Sequence, residues 1–416
     1  MSRTATPAGG HLPPLLPAWR DGRVQAVSLV LVVWTSLWAL VAAWHGMYSW
    51  HYFVTGARFL GSPLGAHVFA AHPELQMGPL TLVVALGFVS WGGSAAVAGA
   101  GMLLLGALVL AMVLLLVRHV ESGTERAQRL LVVGVLLAPA WAVLAVHYGH
   151  LDDALALAAT VGAMLAVSRS RPGLAAVVLA VAVGFKPWAA PFAVILVASP
   201  RAARHLCLFL VLVVAPWAVF VLGDPSTLHI GSFAIAVAPD SALRALGLSA
   251  STTPVWDRPL QLLLSVALGA AAVHRGRLYA VPFVVLATRM LLDPGTYPYY
   301  TTGLLVAALV LDLRERSHRL VPRYALGVAL WFAVVAVLNA AALPAVAGYL
   351  RASYLMACLP MVVFTRPSSD PPDVPSPAAR TVSSSGTGFQ EAGRTTHIKI
   401  RGVTQAGRTR STWLPG

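Results

Sequence analysis

The 416-residue sequence is short of everything from which a water-facing surface is made. Charged residues make up 11% of it, acidic residues number 15, and lysine occurs only at Lys186 and Lys399. Apolar residues account for 58% and the mean hydropathy is +0.75, which excludes a soluble enzyme of this length. Cysteine is almost missing. Cys207 and Cys358 both lie inside apolar runs, leaving no disulfide to expect and no metal-ligand spacing. The apolar runs also lack the polar alternation of barrel strands. Backbone groups in hydrocarbon must be satisfied within their own segment, so the runs are expected to be helices.

What is present in excess is Ala, Val, Leu, Gly and Arg, a bias that fits a GC-rich bacterial genome and therefore a bacterial cytoplasmic membrane. A net charge of +14 on a soluble chain would point to nucleic acid. Here the basic residues sit between apolar runs and in a tail, so they orient the chain, and no nucleic-acid partner is expected. Residues 1–23 read as a cytoplasmic N-terminal segment and 24–365 as the transmembrane domain. Residues 366–416, rich in Ser, Thr, Pro, Gly and Arg, read as a disordered basic cytoplasmic tail.

Within the domain the expected crossings are 24–44, 95–117, 130–146, 151–168, 173–185, 188–199, 205–222, 259–273, 278–292, 298–311, 322–343 and 346–364. This is an all-α polytopic bundle of about 12 helices. If these alternate, one face collects Arg118, Arg126 and Arg129, then Arg169 and Arg171, Arg201 and Arg204, Arg275 and Arg277, and Arg314 to Arg323. The other face holds only single charges such as Arg58, Arg244, Arg258 and Arg289. The positive-inside rule then places both termini in the cytoplasm and two long loops, 45–94 and 223–258, outside. The assignment requires that 79–90, about 12 residues long, does not cross but lies as a re-entrant or interfacial helix in the first outside loop.

Ionisable residues at the edges of membrane helices are expensive and therefore functional candidates. Four clusters stand out on the outside face. The first loop carries His45, Ser49, Trp50, His51, Tyr52, Arg58, His67, His72, Glu74 and Gln76. His147-Tyr148-Gly149-His150-Leu151-Asp152-Asp153 forms the second, Phe185-Lys186-Pro187-Trp188 the third, and Arg289 with Asp293 to Tyr300 the fourth. Interfacial anchoring is the bland reading of His45, Trp50, Tyr52 and Trp188, set against a functional one. Asp152 could serve as a helix N-cap, but one cap needs one carboxylate and here two are adjacent. Lys186 could snorkel; equally, a fixed cation at a helix broken by Pro187 suits an anionic phosphate head group.

The order of these clusters resembles the polyprenyl-phosphate-sugar-dependent integral-membrane glycosyltransferases of the GT-C superfamily, especially the bacterial mannosyltransferase branch. The similar elements are Tyr52 to Leu64 with Gly61-Ser62-Pro63, then His72-Pro73-Glu74-Leu75-Gln76-Met77-Gly78-Pro79-Leu80. Gly149-His150-Leu151-Asp152-Asp153, the Arg169-Ser170-Arg171 turn and Lys186-Pro187 follow in order, so the likeness covers about 24–205. It implies transfer of a hexose or pentose, mannose-like by preference, from a polyprenyl phosphate to a cell-envelope lipid or glycan outside; the sequence carries no nucleotide-fold or metal motif, so no soluble cofactor and no metal is expected.

That branch carries its general base as an Asp at the start of the first outside loop, and Met47 to His51 contains no carboxylate. Glu74 therefore inherits the base role, with His51, Asp152 and Asp153 as competitors. Lys186, Arg58 and Arg289 are the expected phosphate ligands, His150 accompanies them, and Trp50, Tyr52 and Tyr297 to Tyr300 line the sugar and lipid paths. The alternatives are a transporter or flippase of a lipid-linked sugar and an inactive scaffold of the same architecture.

Overall fold

The structure, a computed structural model, describes residues 21–44, 46–117, 122–315 and 320–365. The tail 366–416, nearly all of the segment 1–23, and His45 lie outside the described residues. Among the described residues every regular element is helical. The longer α-helices are α1 (Gly22–Ala43), α2 (Trp50–Leu60), α3 (Pro79–Ser90), α4 (Ala95–Leu114), α5 (Gly123–Ala142), α6 (Leu151–Ser168) and α7 (Pro172–Phe185). They continue with α8 (Ala202–Gly223), α9 (Asp257–His274), α10 (Val281–Leu292), α11 (Tyr300–Glu315), α12 (Arg323–Ala340) and α13 (Pro344–Phe364).

Each of the twelve expected crossings has a helical counterpart. Seven described helices are long and apolar enough to cross a membrane: α1, α4, α5 with the turn that follows it, α6, α8, α12 and α13. The chain is a multi-pass membrane protein. Its outer helices expose apolar side chains that water would not tolerate, among them Leu29, Leu40, Val211 and Leu222. In α1 and α8 11% of the apolar stretch is buried, against 67% in α6, so α6 is central and α1 and α8 are peripheral. Thr301 to Leu313 in α11 are buried throughout, as is nearly all of α10.

Three local structures depart from the sequence reading. The stretch expected as a helix over 188–199 is a 3₁₀ helix, Pro187–Ala198; Pro191 has no N–H to donate to the carbonyl four residues back, so the i→i+4 ladder cannot form there. The stretch 130–146 starts earlier, in α5, whose Ser122 N-cap accepts the Glu125 N–H at 3.1 Å, and it ends in a π turn, Val143–Tyr148. Asp152 is not an N-cap. His150 occupies that position, and Asp152 is the second residue of α6.

Two ends of the bundle can be told apart by their contacts. At one, Arg277 pairs with Glu315 and donates to the carbonyls of Val362 and Thr365, while Arg314 donates to the Leu116 carbonyl at 3.1 Å. The turns that carry Arg277 and Arg314 therefore meet the ends of α13 and α4 there. At the other end the two long loops meet: His67 lies 3.1 Å from Asp224, and Arg258 reaches both Gln76 and the Phe233 carbonyl. The helix α3 starts in this second end, where the Gly78 N–H donates to the Phe185 carbonyl at 2.7 Å and the Thr81 hydroxyl to the same oxygen at 2.8 Å.

Candidate functional site

Backbone geometry aims the second cluster before any side chain is considered. The π turn widens the end of the helix, and Gly149 then reverses the chain at φ 65°, a left-handed conformation that a residue with a Cβ adopts at a cost. The new helix α6 begins at once, so Asp152 and Asp153 sit in its first turn, where the free N–H groups and the helix dipole favour carboxylates. Tyr48 and Ser49 dock by their N–H groups onto the carbonyls of His147 and Tyr148 at 3.2 and 2.8 Å, tying the first long loop to this turn.

Lys186 closes the site from the end of α7. Pro187 forces it into an extended backbone at φ −145°, ψ 115°. Its ammonium hydrogen-bonds Asp152 and stands 3.5 Å from Asp153. The other Asp152 oxygen accepts the Asp153 N–H at 2.8 Å and lies 3.3 Å from His150 Nδ1. Asp153 accepts the Trp188 indole N–H at 2.9 Å. His150 is bound through Nε2 to the Ser49 hydroxyl at 2.9 Å and lies flat on Tyr299 with ring centres 3.8 Å apart. Burial works against a charged His150 ring, but the two aspartates outweigh it and raise the ring above the ordinary histidine range.

Arg289 extends the network. Its guanidinium stands 3.9 Å from Asp153 and 3.4 Å from Asp293, between the rings of Trp188 and Tyr300 at 4.8 and 4.3 Å. Two carboxylates and two aromatic rings at these distances restrict the guanidinium. The sequence-distant clusters thus form one alternating chain of charge, Lys186, Asp152/Asp153, Arg289 and Asp293.

This chain borders a cavity of ≈ 830 Å³. Glu74, His51, Tyr52, His150, Asp152, Lys186, Arg289, Tyr297 and Tyr300 all line it. Glu74 is half-exposed, with Oε1 3.0 Å from His72 Nδ1. Asp153 stands behind the wall, touching Lys186 and Arg289. Two expected ligands lie elsewhere. Arg58 is in the last turn of α2 on an exposed face and does not line the cavity. Trp50 is buried, its indole N–H given to the Gly93 carbonyl at 3.1 Å and its ring stacked on Phe53, so it packs the loop and contacts no ligand space.

Sequence reasoning passed over Asp257 and Gln261, which line the same cavity. Their only signal was position at the head of an apolar helix beside Arg258. It also gave no metal spacing. In space His150, Asp152 and Asp153 bring one ligand atom each within 4.8 Å of one another, a set able to hold a metal ion. The Lys186 ammonium already lies against both carboxylates, and a divalent ion there would have to displace it.

Comparison with known proteins finds no matching family model, no matching curated protein and no matching solved structure. The functional reading therefore rests on the chemistry of the site.

Proposed function

We propose that this chain is a membrane glycosyltransferase of GT-C type, with about twelve crossings and α3 lying re-entrant or interfacial. It moves a hexose or pentose, mannose-like by preference, from a polyprenyl phosphate to a cell-envelope lipid or glycan at the extracytoplasmic face of the bacterial plasma membrane. The observation that carries this reading is the sharing of one cavity by Lys186, Arg289 and Glu74: cations for a departing phosphate and a carboxylate for an incoming hydroxyl. The arginine-rich turns at the opposite end support a cytoplasmic placement of that end.

In this reading the acceptor oxygen attacks the anomeric carbon, the bond from that carbon to the phosphate oxygen breaks, and the electron pair leaves with the phosphate. Lys186 and Arg289 stabilise the charge that develops there. The acceptor's proton passes to a carboxylate. Asp152 has both oxygens engaged and Asp153 stands behind the wall, so their role is to position Lys186, His150 and Trp188. Glu74 keeps Oε2 without a protein donor among the described residues and is the base.

A transporter would place its ionisable groups along an alternating path near the bilayer midplane; these gather at the loop-bearing end. The test is transfer from radiolabelled polyprenyl-phosphate sugars in membranes carrying the chain. Activity that survives both Lys186→Ala and Glu74→Ala sinks the assignment.

A further inference from the structure

The cavity has a second wall that the transfer chemistry above does not use. Asp257 is the first residue of α9 and fully buried. Its Oδ2 accepts the Gln261 side-chain N–H at 2.8 Å, and the same Gln261 nitrogen donates to the Leu292 carbonyl at 3.1 Å. Among the described residues its Oδ1 has no hydrogen-bond partner although it is shut away from solvent. Asp293 across from it is fully engaged: one oxygen accepts the Gly295 N–H at 2.9 Å and the other faces Arg289. Asp257, Gln261 and Asp293 all line the ≈ 830 Å³ cavity.

A buried carboxylate oxygen without a donor is costly, and it gains most from a ligand that brings an O–H or N–H to it. Charge narrows the choice of ligand. An anion meets two carboxylates. A cation meets the Gln261 N–H group, already turned onto Asp257, and the guanidinium of Arg289. A neutral hydroxyl meets neither obstacle. Tyr52 and Tyr297, each about half-exposed, present ring surface to the same cavity, which suits the apolar face of a sugar ring. Arg289 marks the boundary, with Asp153 on one side and Asp293 on the other.

We infer that Asp257, braced by Gln261 and flanked by Asp293, is a hydroxyl-binding subsite for the polyol head of a neutral glycoside, adjoining the cationic half that takes a phosphate. The identification of that glycoside as the acceptor rests on the transferase reading above; the subsite itself does not. In a two-half cavity of this kind, donor phosphate and acceptor sugar approach from opposite sides of Arg289.

The full chain in lipid nanodiscs tests it with tritiated octyl mannopyranoside as the probe. Octyl tetraethylene glycol, which has the same alkyl chain and no sugar, serves as competitor. Saturable mannoside binding that this competitor does not displace is expected, and Asp257→Ala should weaken it about tenfold. Should Asp257→Ala fail to fold, Asp257→Asn keeps the shape, loses the charge, and should weaken binding about fivefold. Absent saturable binding to the unaltered chain, or an unchanged Kd in the folded variant, overturns the inference. Undecaprenyl phosphate is titrated on the same preparation as a separate arm: its failure to bind removes the donor reading, while the mannoside result stands or falls on its own.

Discussion

Gly78 and Phe185 are joined by a 2.7 Å hydrogen bond from the Gly78 N–H to the Phe185 carbonyl, one residue before Lys186. A side chain at position 78 would collide with the backbone carbonyl of Gly184. The first long loop therefore clamps the turn that aims Lys186, and the clamp tolerates only glycine. Gly78→Ala should overpack this contact by about 1–3 kcal/mol and displace the lysine. Its expected signature is a lowered Tm in nanodiscs together with loss of polyprenyl-phosphate binding; normal binding at normal Tm would show that the clamp does not set Lys186.

Lys186 and Asp152 form a buried ion pair, with side-chain exposures of 12% and 2%. Breaking such a pair from one side leaves an uncompensated charge and costs about 3–5 kcal/mol, whereas an apolar replacement of both partners is close to neutral. Lys186→Met should therefore destabilise more than the double change Lys186→Met/Asp152→Leu, and neither should transfer sugar. Thermal melts of the three proteins check the order, and a double variant less stable than the single one would contradict it.

For Glu74 the kinetics should separate binding from proton removal. Glu74→Gln keeps the shape and loses the base, so kcat should fall by about 10²–10⁴-fold while the donor KM stays near its starting value. A change confined to KM would reassign Glu74 to binding. Arg58→Ala, on the exposed face of α2, should change neither parameter by more than about twofold.

Asp257 should make stability depend on pH. It stands ahead of the apolar stretch 259–273, and burial, then the neighbouring Asp293, raise its carboxyl from the ordinary 3.8 to about 7, against the opposing pull of Arg258 and Gln261. Burial also raises Asp293, with Arg289 pulling the other way. A carboxyl whose folded pKa is raised favours the folded state most where it is protonated in both states. The benefit is full below about 3.8 and is lost as pH rises towards about 7. Tm should fall across that window in the unaltered chain, and Asp257→Asn should flatten the fall. Identical pH profiles for the two proteins would refute this.

Much of the architecture was legible in the chain itself. Apolar runs named each of the seven described helices that are long and apolar enough to cross a membrane, because hydrocarbon burial needs length and polar residues must gather at the ends. The bounds of α3 came out as 79–90, since Gly78-Pro79 starts a helix and Trp91-Gly92-Gly93 stops one. Lys186 and Asp152 could be singled out because an ion beside a membrane helix is rare. Arg58 could not be dismissed on the same basis, because a charge at a helix end looks alike whether it faces a cavity or solvent.

Composition and periodicity by themselves determined that the backbone would be helical, repeatedly membrane-crossing, and charged at its ends; these are local demands, satisfied residue by residue within each segment. Only the packing of α6, α7, α9 and α10 decided which end charges meet. It paired Lys186 with Asp152 rather than with Glu74, turned Trp50 into the interior, and brought Asp257, some hundred residues from either aspartate of α6, to the same cavity. Contacts between distant segments depend on how helices pack side by side, and no spacing along one segment encodes that.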